Sequence, residues 1–97
     1  MKTTLSMSGS TLTIKVEGHI TGLAQVEEIK SLVSANSRYE FIELDIVDAY
    51  VIPSALIGYL IKLVNLDKKK VTLIAHQAEL KELIQELNLD KTFILRS

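Results

Sequence analysis

Residues 41–75 read FIELDIVDAYVIPSALIGYLIKLVNLDKKKVTLIA, and this stretch decides the fold. Phe41 to Ile46 is a short apolar run carrying charges at Glu43 and Asp45, which reads as a strand. Pro53 suits a pre-helix or first-turn position and not a helix interior. A helix is therefore predicted from Ser54 to Leu66. Lys68-Lys69-Lys70 then turns the chain into Val71–Ala75, a second short apolar strand. Strand, helix and strand at this spacing imply a parallel pair joined by a crossover, with right-handed connection expected.

The flanks extend the pattern. Upstream, Ser8-Gly9-Ser10 is a turn signal between two alternating runs, Thr3 to Met7 and Thr11 to Glu17, which reads as an N-terminal hairpin with one wet face. Leu23, Val26, Ile29 and Val33 recur at helical spacing, with Glu27, Glu28 and Lys30 opposite, so a helix should run to Ala35 with Thr21 as its N-cap. Downstream, Gln77 to Leu87 reads as a third helix with Leu80, Leu83, Ile84 and Leu87 on one face. Lys91 to Leu95 supplies a last short strand. The order is ββαβαβα(β). The predicted fold class is α/β: a single domain over residues 1–97, in which a small mixed sheet, hairpin plus parallel strands, packs with helices.

Composition narrows the function classes. The chain has 97 residues and a formal net charge of -1, so nothing marks nucleic acid or an anionic membrane as its main partner. Cysteine is absent, which excludes disulfides, thiolate metal sites and thiol catalysis. The N-terminus lacks a signal-peptide core, and Tyr50–Leu60 is too short to span a bilayer, so a soluble, cytoplasmic protein without membrane insertion is expected. No GxxxxGK[ST], GxGxxG or GxSxG motif occurs. His19 and His76 lack companions at metal-ligand spacing. Glu43 and Asp45 share one strand face, but a carboxylate pair needs a pocket before it does acid/base work. The expectation is a protein with no enzymatic activity, no metal and no cofactor.

The helix after Pro53 carries two apolar stripes where an ordinary surface helix carries one. Ile57, Leu60, Ile61 and Val64 form the first; Leu56, Tyr59, Leu63 and Leu66 form the second. One stripe must face the sheet. The other either packs beneath neighbouring elements or meets a partner. Ser54 stands at the head of this helix, where free N–H groups and the positive end of the macrodipole favour an anion. Two roles fit it: an N-cap worth about 1 kcal/mol over alanine, or a phosphorylation site whose charge the helix terminus stabilises.

Three segments resemble the STAS domains of bacterial anti-sigma factor antagonists, and together they cover almost the whole chain. IKVEGHIT is similar to the family's strand ending in Gly-Glu-Leu-Asp. FIELDIVDAYVIPSALIGYL is similar to its strand followed by Asp-Ser-Ser-Gly-Leu-Gly. LIAHQAELKELIQELNLDKTF is similar to its closing strand and helix. On this resemblance Ser54 falls on the serine that the family phosphorylates, and Gly58 on the second glycine. Pro53 stands in place of Asp, Ala55-Leu56 in place of Ser-Gly, and His19 and Thr21 in place of Glu and Asp. The resemblance implies a phospho-switchable protein-binding module. Its partners would be a serine kinase that is an anti-sigma factor-like ATPase, and a phosphatase. Its contact surface would comprise Gly18, His19, Ile20 and Thr21 with Ile52, Pro53, Ala55, Leu56 and Tyr59. The alternative is a STAS subunit that serves as a constitutive structural partner in a transporter or signalling assembly.

Overall fold

A computed structural model describes all of residues 1–97. Its elements run β1 (Lys2–Ser8), β2 (Thr11–Glu17), α1 (Leu23–Ala35), β3 (Phe41–Ile46), α2 (Ser54–Asn65), β4 (Lys70–Ala75), α3 (Ala78–Glu86), a 3-10 turn (Leu89–Lys91) and β5 (Ile94–Arg96). Every expected element is present. β5 starts later than the tail pattern suggests, because Leu89–Lys91 coils first and Phe93 is buried. Asn88, in the left-handed region at φ 58, ends helix α3.

The five strands lie in chain order, β1-β2-β3-β4-β5. β1 and β2 are antiparallel, and every later pair is parallel. Gly9, at φ 59, supplies the left-handed residue that the two-residue hairpin connection needs.

The parallel register aligns Leu12 with Ile42 and Val71, Ile14 with Leu44 and Leu73, and Val16 with Ile46 and Ala75. All nine of these side chains are buried. Their alternates, among them Thr13, Lys15, Glu43, Asp45, Thr72 and Ile74, are half-buried or exposed. The helices therefore cover one face of the sheet and leave the other to solvent. Parallel sheets usually have both faces covered and strands that are apolar throughout. Here the polar alternates Glu43, Asp45 and Thr72 suit the open face.

Val26, Ile29 and Val33 of α1, Leu56, Leu60 and Leu63 of α2, and Leu80 and Ile84 of α3 fill the space above the covered face. They belong to a single core of 22 buried residues, all hydrophobic. On the open face the two carboxylates have separate partners. Glu43 accepts from Thr13 Oγ1 at 3.2 Å and pairs with Arg96 at 3.3 Å, and Asp45 meets His76 Nε2 at 2.5 Å. No helix is long and apolar enough to cross a membrane.

Both predicted helix caps shift by one residue. Gly22, not Thr21, is the N-cap of α1: its backbone is extended and its carbonyl accepts from Val26 N–H at 3.2 Å. Pro53, not Ser54, is the N-cap of α2, with φ -62 and ψ 145. The Pro53 carbonyl accepts from the N–H groups of Leu56 at 3.0 Å and Ile57 at 3.2 Å. The pyrrolidine ring fixes φ, and an extended ψ makes proline the boundary residue.

Candidate functional site

The loops that leave the C-terminal ends of β2 and β3 come together at one rim of the sheet. Open α/β sheets commonly bind their ligands at this end of the strands. Two contacts join the loops. Gly18 N–H donates to Asp48 Oδ2 at 2.7 Å. The rings of His19 and Tyr50 stack edge to face, with centroids 5.4 Å apart and planes at 76°. Gly18 has φ 92, and a Cβ there would come within 3.3 Å of the Met1 backbone, so only glycine fits without strain.

Between the loops lies a cleft of about 510 Å³. Its walls are His19, Thr21, Tyr50, Val51 and Pro53, and Ile20 and Ile52 form its floor. His19, Thr21, Tyr50 and Val51 are exposed, whereas Ile20 and Ile52 are buried. The Gly18–Thr21 segment and the Ile52–Pro53 segment, proposed from sequence as one surface, are thus brought side by side.

Ser54 follows Pro53 directly as the first residue of α2, and both Ser54 and Ala55 are exposed. The Ser54 hydroxyl makes no cap bond. The backbone N–H groups of Ser54 and Ala55 have no backbone acceptor, as expected for the first turn of a helix. No acidic residue occupies that turn. The helix terminus therefore presents unneutralised donors beside an exposed hydroxyl.

Two residues expected at the contact surface lie elsewhere. Leu56 is fully buried and belongs to the core, so it is closed to a partner in this conformation. Tyr59 turns toward α1, where Lys30 Nζ sits 5.4 Å from its ring centroid. Burial pushes its phenol pKa up, the Ser34 hydroxyl opposes this, and the Asp67 charge adds to it. The second apolar stripe of α2 is consequently not an exposed band. Leu56 and Leu63 are buried, Tyr59 is half-buried, and Leu66 alone is exposed. Of the first stripe, Leu60 is buried and Ile57, Ile61 and Val64 are half-buried.

The site also contains residues that sequence reasoning passed over. Tyr50 is 50% and Val51 56% exposed, and both line the cleft. Large apolar side chains in a connecting loop were the available signal, since such loops are usually polar. Asp48 gave no signal, because its partner is a main-chain N–H thirty positions away. No known protein-family model matches the chain, and no curated protein matches it.

Proposed function

We propose that this chain is a protein-binding module of a bacterial partner-switching pathway, controlled by phosphorylation of Ser54 in the manner of the anti-sigma factor antagonists. Its partners are a serine kinase of the anti-sigma factor-like ATPase class, which both binds and phosphorylates it, and a phosphatase that resets it. The module works in the cytoplasm. The observation that carries the reading is the placement of an exposed Ser54 hydroxyl at a helix terminus, directly beside a cleft walled by exposed Tyr50 and Val51.

The physical logic has two halves. A phosphate on Ser54 adds about -1.5 to -2 charges. The domain tolerates it, because free N–H groups and the helix dipole favour an anion there. The partner does not, because the charge must be stripped of water when an apolar surface closes over the cleft. Modification then alters the interface and leaves the fold intact.

The test combines phosphate mapping with binding. The protein is incubated with a candidate kinase of this class and ATP, and phosphate is located by mass spectrometry. Binding is then compared for wild type, Ser54→Ala and Ser54→Glu. Phosphate is expected on Ser54. Ser54→Ala should bind without being phosphorylated, and Ser54→Glu should bind at least about tenfold more weakly, a loss near 1.4 kcal/mol. Because no cap bond is lost, Ser54→Ala should keep its stability within about 0.5 kcal/mol. Full-strength binding by Ser54→Glu sinks the switch.

A further inference from the structure

The opposite rim of the sheet, at the N-terminal ends of β4 and β5, holds a second cleft of about 430 Å³. Small-molecule sites have volumes of this order. Its apolar side is formed by the half-buried Val64 at the end of α2 and the exposed Ile94 of β5, with the buried Val71 of β4 behind them. Its polar side is formed by Lys68, Lys69, Lys70 and Thr92, and no carboxylate lines it.

The three lysines are not equivalent. The Lys69 ammonium donates to the carbonyls of Ser37 and of Tyr39, the latter at 2.7 Å, and so ties this turn to the α1–β3 connection. Lys68 and Lys70 enter no ion pair. Lys68 is held at φ 57, a left-handed conformation that side chains other than Asn and Asp seldom adopt. Main-chain bonds from Lys69 N–H to Leu63 O at 2.9 Å and from Lys70 N–H to Glu40 O at 3.0 Å fix the residues after it. The turn therefore sets like charges in a fixed backbone, against an apolar wall, with no carboxylate in ion-pair contact with Lys68 or Lys70. An anion would relieve that repulsion, and an apolar body on the anion would cover the wall.

We propose that this cleft binds a small amphiphilic anion: a phosphate or carboxylate head held by Lys68, Lys70 and Thr92, with a short apolar body along Val64 and Ile94. The site is separate from the Ser54 rim, and its occupancy does not depend on the phosphorylation state.

The test is an amide chemical-shift titration of the full chain with octyl phosphate below its micelle concentration. Saturable shifts are expected at Val64, Lys68 to Val71, and Thr92 to Ile94. Inorganic phosphate and octanol, which each carry half of the chemistry, should bind at least about tenfold more weakly. Lys68→Glu with Lys70→Glu should weaken binding about a hundredfold, since two charge-assisted contacts are lost, while the circular dichroism spectrum stays unchanged. Ser54→Glu should bind as wild type does, which separates this site from the switch. The proposal is overturned if no saturable shift appears, if the shifts centre on other residues, or if the double charge reversal leaves affinity unchanged. Sedimentation with phosphatidylglycerol vesicles but no binding of octyl phosphate would also overturn it, in favour of a lipid surface.

Discussion

The main-chain N–H of Gly18 donates to the Asp48 carboxylate at 2.7 Å and fastens the loop after β2 to the loop after β3. With the His19–Tyr50 ring contact, this bond links the two loops that wall the first cleft. Asp48→Ala should cost about 1 kcal/mol, less than a buried bond to a charged group because this one is exposed. It should also speed amide exchange at Gly18. Asp48→Asn keeps an acceptor oxygen and should fall between the two. Unchanged exchange at Gly18 in Asp48→Ala would show that the loops hold their spacing without it.

Leu56 and Val51 make a matched pair of opposites. Leu56 is fully buried, so Leu56→Ala should cost about 2–5 kcal/mol of stability. Val51 is 56% exposed, so Val51→Ala should stay within about 0.5 kcal/mol of wild type in a denaturant melt. Under the proposed function Val51→Ala nevertheless weakens partner binding. Strong destabilisation by Val51→Ala would place that side chain in the core instead.

Gly58 lies in α2, is exposed, and has nothing within 4 Å of where a Cβ would stand. Gly58→Ala should therefore stabilise the helix by about 0.5–1 kcal/mol, since glycine loses more backbone freedom on folding. In a domain of this size that raises Tm by about 2–8 °C. If the partner packs closely on this face, affinity drops as Tm rises. A Tm that falls would mean a hidden steric constraint at Gly58.

Tyr59 bears on alkaline stability. Its phenol is pushed above the ordinary 10.0 by burial, so the folded state holds its proton more tightly than the unfolded chain does. The contribution is complete below the unfolded pKa and is lost as pH rises through the folded one. Thermal melts across this alkaline range should show stability falling, and Tyr59→Phe should blunt the fall. Ultraviolet titration should show a phenolate displaced above the ordinary value in wild type and missing from Tyr59→Phe. Identical alkaline limbs for the two proteins would refute the assignment.

The element order was readable because each segment repeats at its own period: two in Thr11–Glu17, near 3.6 in Leu23–Ala35. The cap positions were not. Thr21 and Ser54 have the side chains that favour N-caps, but capping depends on backbone angles, and Gly22 and Pro53 hold the extended ones. The face of α2 was also ambiguous. Apolar residues surround most of that helix, so periodicity alone could not tell that Leu56, Leu60 and Leu63 point inward and Tyr59 meets α1. Only the family resemblance put the two loops together, because the bond that joins them links residues far apart in the chain.

Strand order that follows chain order has a practical consequence for anyone who attaches something to this protein. β1 starts opposite Glu17 and β5 ends beside Ile74, so both termini emerge toward the Ser54 rim. They do so at opposite edges of the sheet, about 19 Å apart at ordinary strand spacing. A purification tag on either end would flank the cleft, and the N-terminal one would crowd Gly18, which Met1 already approaches. A circular permutant would need a linker of at least about six residues. New ends placed in the Lys68–Lys70 turn would free the Ser54 rim from both.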